Sequence, residues 1–230
     1  MHEYLQPTWF LDSDSLAVQR FAADAIRDAP GPRERATRLF ATVRDDIRYD
    51  PYAVSADPHL YRASTTAQAR SAFCIPKAVL LAAACRAVGI PARLGFADVR
   101  NHFSSTRLHT LLGTDLFVYH GYAELLLDGR CLKATPAFNR ELCAHFGVAP
   151  LTFDGTADAL FQPFDDTGRR HMEYVRDRGT SADLPLAEIL RVFRETYPTV
   201  SLEKWRQAAC DPAFENDRGS AGPGRGTAAP

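Results

Sequence analysis

The chain has 230 residues, 46% of them hydrophobic, and a formal net charge of -1. That suits one globular domain with an ample core. The near-zero charge supplies no global field toward nucleic acid or an anionic membrane, so neither is expected as a partner. The start, Met1-His2-Glu3-Tyr4-Leu5, lacks the basic opening and apolar run of a signal peptide, and no run reaches transmembrane length, so cytoplasmic residence is expected.

The first expected helix lies within 12 to 29, where Asp12 to Ser15 supply capping residues and Leu16, Phe21 and Ile26 an apolar face. Pro30-Gly31-Pro32 stops it. A second helix, 33 to 47, places Ala36, Leu39, Phe40, Val43 and Ile47 on one stripe. Arg48 to Tyr52 leave it in extended form, and a polar, loop-like stretch follows. Gln68 falls in that stretch, six residues before Cys74, a spacing that suits an oxyanion donor, although a solvated turn is much the commoner place for a glutamine.

The next stretch organises the rest. Cys74-Ile75-Pro76-Lys77 opens a run of alanine, valine and leucine with high helix propensity nearly all round, Pro76 suits a first turn, and Gly89 with Pro91 ends the element. The spacing predicts a buried, central helix over 75 to 88 with Cys74 at its N-terminal lip. There the free N–H groups and the helix dipole favour a thiolate, which makes Cys74 a candidate nucleophile. A cysteine in apolar surroundings is also an ordinary small core residue, the reading that suits Cys85.

Ala92 to Val99 read as a strand, 100 to 115 as a polar excursion, and Leu116 to Leu127 with Cys131 to Ala134 as an antiparallel hairpin turned at Asp128-Gly129. Alternation puts His120, Tyr122 and Glu124 on one face. A short helix is expected over 140 to 150, ending at Gly147, then apolar and turn residues to 179 with a strand at 171 to 175. Helices follow at 185 to 196 and 201 to 209 around Trp205, and a Gly-, Ala- and Pro-rich disordered tail over 215 to 230. The five cysteines are odd in number with no CxxC pair, which argues for reduced thiols. The seven histidines form no pair at metal spacing, so no metal and no cofactor are expected.

Cys74 at a helix start, the segment Arg86-x-x-Gly89-Ile90-Pro91-Ala92-Arg93, and His120-x-x-x-Glu124 in a hairpin together resemble the transglutaminase-like superfamily of papain-type thiol enzymes. The likeness covers about 35 to 140, within a single domain of 1 to 214 whose part from 141 on is an extension. It implies an α+β fold, with the cysteine helix packed on an antiparallel β-sheet, and a Cys, His, Asp triad. The chain departs from the family pattern where Cys131 takes the place of a tryptophan, Thr135 that of the aspartate, and Tyr122 that of a tryptophan after the histidine. A threonine hydroxyl can orient an imidazole but cannot stabilise its charged form as a carboxylate does. Asn139, Asp98 and Glu173 are the other residues through which folding could supply an acceptor.

The resemblance implies acyl transfer through Cys74 with His120 as acid and base, and the Cys74 N–H with Gln68 meeting the oxyanion. Its substrate would be a peptide, a protein or an acyl thioester. A cysteine protease or amidase on the same machinery, with water as acceptor, and a non-catalytic binding domain with a degraded triad stay open. The segments 100 to 115 and 151 to 179 are expected to border the cleft and set substrate choice.

Overall fold

The computed structural model describes residues 2–102, 105–161, 168, 171–198, 200 and 205. Helices α1 (Leu16–Ile26) and α2 (Pro32–Asp46) come first, and β1 (Arg48–Tyr49), α3 (Ala63–Thr66) and β2 (Ser71–Ala72) lead to α4 (Cys74–Ala87). Then follow β3 (Ala92–Asn101), α5 (Thr106–Leu112), β4 (Leu116–Leu127), β5 (Arg130–Ala134), α6 (Arg140–Phe146), β6 (Met172–Ser181) and α7 (Leu186–Thr196). Strands β1 and β2 form a small parallel pair, and the main sheet is antiparallel in the order β5-β4-β3-β6. This is the α+β architecture expected of a cysteine helix packed on an antiparallel sheet.

Helix α4 is the hub because it is apolar on every side, and a helix of that kind must be covered all round. Every residue from Cys74 to Arg86 is buried, between α1, α2 and α3 on one side and β3 and β4 on the other. Its two cationic residues are spent as staples. The Lys77 ammonium donates to the Arg44 carbonyl at 2.9 Å and to that of Ile47, satisfying carbonyls that the end of α2 leaves open. Arg86 donates to the carbonyls of Ala92, Gln6 and Ala182 at 2.9, 2.6 and 2.7 Å, tying the helix end to the N-terminal turn and to the chain after β6. The helix stops where Gly89 takes φ +82° and the Ile90 N–H returns to the Cys85 carbonyl, as the glycine and proline predicted.

Asp128 and Gly129 both have positive φ, +49° and +77°, the twist that a two-residue hairpin turn requires. The alternation along β4 holds. Ala123 and Leu125 are fully buried, and a Cβ on Gly121 would lie 3.2 Å from the Ile75 Cα, so this face meets α4. On the other face Glu124 pairs with Arg93 at 2.7 Å, and Lys133 lies over the Tyr122 ring.

Two segments differ from expectation. The polar excursion contains α5, capped by the Ser105 hydroxyl accepting the Leu108 N–H and closed by Gly113 in the left-handed region; Leu108 and Leu112, one turn apart, give it a buried stripe. Strand β6 runs ten residues where a strand of five was expected. Most of its side chains are polar and face solvent on a sheet edge, so no apolar period announces it, and backbone pairing with β3 defines it instead. The expected helix at 201 to 209, save Trp205, and the tail lie outside the described residues. The four described cysteines are free thiols, and among the described residues no helix is long and apolar enough to cross a membrane.

Candidate active site

Cys74 is the first residue of α4, with Phe73 as its extended N-cap. His120 is in the middle of β4, opposite Ala97 of β3. Gly121, the next residue, lets β4 pass directly over the first turn of α4, and its backbone N–H, with those of Ile75 and Cys74 itself, acts on the Cys74 sulfur. Cys74 and His120 open into one cleft with a cavity volume of about 50 Å³, walled also by Tyr49, Phe138 and apolar side chains of α5, β4 and β6.

A break in the sheet sets the direction of His120. Between the pairs Ala97↔His120 and Val99↔Phe117, β4 carries one residue more than β3. Tyr119 absorbs the extra length at φ +55°, a left-handed conformation that costs a non-glycine residue about 1–2 kcal/mol. Several contacts hold it there. Asp98 accepts the Tyr119 N–H at 3.1 Å and pairs bidentately with Arg178; the Arg178 guanidinium stacks on the Tyr119 ring; the Tyr119 hydroxyl donates to Glu188. The Tyr197 hydroxyl accepts the Val118 N–H and donates to the Leu116 carbonyl, closing the other side of the bulge.

The electrostatics differ from those of an exposed helix lip. Burial pushes the Cys74 thiol up to about 11, and the three N–H groups and the Lys77 charge, which act the other way, do not overcome it. Burial also pushes His120 down to about 4. Burial therefore works against the thiolate that a helix lip favours in isolation, and against the imidazolium as well, since only 9% of Cys74 and 4% of His120 remain exposed to water. The Lys77 amine, one turn along α4, is likewise pushed down by burial, to about 7.

The remaining expected residues are distributed as follows. Thr135 follows β5 and is fully buried; its N–H donates to the Ala159 carbonyl, and its hydroxyl has no hydrogen-bond partner. The buried His120 Nε2 is also without one. Tyr174 of β6 lies beside both, its ring 6.5 Å from that of His120; its hydroxyl is within the influence of Thr135 without an aligned hydrogen bond. Phe161 stands 6.0 Å from the imidazole on another side. Tyr174 thus links the imidazole to Thr135 in an aromatic surround.

Of the other acceptors, Asp98 is engaged by Arg178 and Tyr119, and Glu173 is half exposed and near His102. Asn139 stands at the N-cap position of α6, and its side-chain oxygen accepts the Tyr49 N–H at 3.0 Å, so it supports a cleft wall. Gln68 is exposed, its amide donating to the Ser64 carbonyl, and it does not line the cleft. Tyr122 packs on Gly95 behind the cleft. Tyr49, which no motif marks, lines the cleft, and its phenol is raised well above its usual range, chiefly by burial. An aromatic residue just after a helix gives no local signal of such a place. No cluster of metal-ligating side chains occurs among the described residues.

The profile of the transglutaminase-like superfamily matches residues 19–133. No curated protein matches the chain. Among solved structures, a proposed cysteine protease from Cytophaga hutchinsonii is similar at 21% identity and a TM-score of 0.44, over 58% of this chain and 40% of that one. The chain thus spans less than half the length of that relative.

Proposed function

Because the chain belongs to the transglutaminase-like superfamily, we propose that it is a thiol enzyme forming an acyl-enzyme on Cys74, with His120 as acid and base. The observation that carries this reading is that the two family positions, at the start of α4 and in the middle of β4, share one cleft.

With a neutral pair at rest, proton transfer accompanies attack. His120 takes the Cys74 proton as sulfur bonds to the carbonyl carbon of an amide or thioester. The oxyanion is met by the Cys74 N–H at the positive end of α4, with the Tyr49 phenol as a second donor in the place expected of Gln68. As the carbon–nitrogen or carbon–sulfur bond breaks, the imidazolium returns the proton to the leaving group. An amine or water then gives its proton to His120, attacks the thioester, and expels Cys74 as the thiol. The substrate is a peptide, a protein or an acyl thioester, and transferase and hydrolase differ only in the acceptor.

Thr135, which the resemblance assigns to the third place of the triad, lies beside Tyr174. That no charged acceptor among the described residues acts on His120 favours a second reading, a binding domain that has kept the fold. Incubation with a small acyl thioester and intact-mass detection of the acylated chain separates the two. Acylation that vanishes in Cys74→Ala and falls at least a hundredfold in His120→Ala is expected; an equal mass shift in Cys74→Ala would defeat the thiol-enzyme reading.

A further inference from the structure

The cleft that Cys74 and His120 share has walls from parts of the chain far apart in sequence: Val54 from the loop after β1, Leu108 and Leu112 from α5, Phe117 from β4, Met172 from β6, and Trp205. Among the described residues no Asp, Glu, Lys or Arg side chain lines it. Of the polar groups in those walls, the Tyr49 phenol is the oxyanion donor proposed above, and three more already have partners. Tyr197 serves the bulge on both sides of its hydroxyl, the Trp205 N–H donates to the Pro51 carbonyl at 3.0 Å, and Asn101 is engaged by a neighbour. A ligand group entering past the reacting pair and Tyr49 therefore meets chiefly carbon and, among the described residues, no charged side chain to pair with a carboxylate.

Resting on the thiol-enzyme reading, we propose that the acyl group delivered to Cys74 is short, aliphatic and uncharged, with about three to five carbons beyond the carbonyl. The size follows from the volume: one water needs about 10–15 Å³ of such space, and the cleft holds about 50 Å³. The chemistry follows from burial, since a carboxamide or carboxylate taken from water into these largely apolar walls loses its hydrogen bonds and regains few of them. A glutamine-like chain is thus rejected where an aliphatic chain of equal length is accepted. In the covalent step the carbonyl carbon exchanges its bond to the leaving group for one to sulfur, and the Cys74 proton leaves with that group through His120.

The test is a series of N-acetylcysteamine thioesters, acetyl to octanoyl, with succinyl and 4-carbamoylbutyryl as polar counterparts of pentanoyl and hexanoyl, read by intact mass and by kcat/KM for thiol release. We expect kcat/KM to rise about fourfold per methylene from acetyl to about pentanoyl or hexanoyl and then to fall, with the polar counterparts at least a hundredfold slower. Leu108→Phe should shift the optimum to shorter chains and Leu112→Ala to longer ones, so that loss of folding in one leaves the other to read. A flat profile, or polar counterparts as fast as the aliphatic ones, would overturn the proposal while leaving the Cys74 acyl-enzyme intact. No acylation by any member, in protein whose Cys74 also resists iodoacetamide, would overturn the thiol-enzyme reading and this proposal with it.

Discussion

Asp98 accepts the backbone N–H of Tyr119 at 3.1 Å, and through that bond a carboxylate on β3 fixes the bulge on β4 from which His120 is presented. The same carboxylate balances Arg178, which packs on the Tyr119 ring. Asp98 is thus tied to the candidate site through the backbone, not through the imidazole.

Asp98→Asn removes the charge that holds both partners and leaves Arg178, only 14% exposed, without its counter-ion. Hydrogen bonds to charged groups contribute about 1.5–3 kcal/mol each, so a loss of about 2–4 kcal/mol is expected in chemical denaturation. The acylation rate per folded molecule should also fall at least tenfold as His120 loses its register. Unchanged acylation in a destabilised Asp98→Asn protein would show that the bulge is not needed to aim the imidazole.

The pH dependence follows from burial. His120 has a folded-state pKa near 4 against 6.5 for its ordinary value, so between these limits the unfolded chain binds the proton first. Stability is present in full above about pH 6.5 and is lost as the pH falls toward 4, by up to about 3 kcal/mol. His120→Gln should abolish that slope. Because the acid must protonate the base to stop the reaction, the acid limb of kcat/KM should have its midpoint near pH 4 and not near 6.5, with a plateau reaching toward the Cys74 value of about 11.

Thr135→Asp puts a carboxylate where the resemblance places the third triad member, next to Tyr174, whose ring lies 6.5 Å from that of His120. An adjacent carboxylate favours imidazolium by about 1–3 pKa units. The acid limb should move up accordingly, and iodoacetamide labelling of Cys74 at pH 7 should quicken at least tenfold as the ion pair gains population. An unmoved acid limb would mean that position 135 does not face the imidazole.

Gly121→Ala tests the close approach of strand to helix. Its Cβ would sit 3.2 Å from the Ile75 Cα, a backbone atom that moves only with α4. Overpacking of this kind costs about 1–3 kcal/mol, and the displaced strand should carry His120 away from Cys74, lowering the acylation rate tenfold or more. Gly89→Ala, where a Cβ meets nothing but φ is +82°, should cost stability without that rate effect.

The order of elements, the buried helix opened by Cys74 and closed by Gly89, and the hairpin carrying His120 were legible in the chain because each is written in neighbouring residues. Helix propensity, a glycine in the left-handed region, the twist at Asp128-Gly129 and the period of two along β4 are short-range physics, and together with the spacing of Cys74, Arg86 and His120 they pointed to the family. Other features depended on what distant segments do. Length and polarity hid β6 and α5, since an exposed edge strand and a two-turn helix carry little apolar period.

The ionisation of the candidate site was decided by the tertiary structure alone. A helix lip read in isolation favours a thiolate, yet desolvation by the surrounding chain outweighs three N–H groups and a lysine. The bulge at Tyr119 needs Asp98, Arg178 and Tyr197 from three other parts of the sequence. The exclusion of Gln68 and the admission of Tyr49, Met172 and Trp205 to the cleft and its surround were likewise fixed only when those segments packed. Local sequence encodes which backbone a residue prefers; the water it loses and the neighbours it gains are properties of the whole fold.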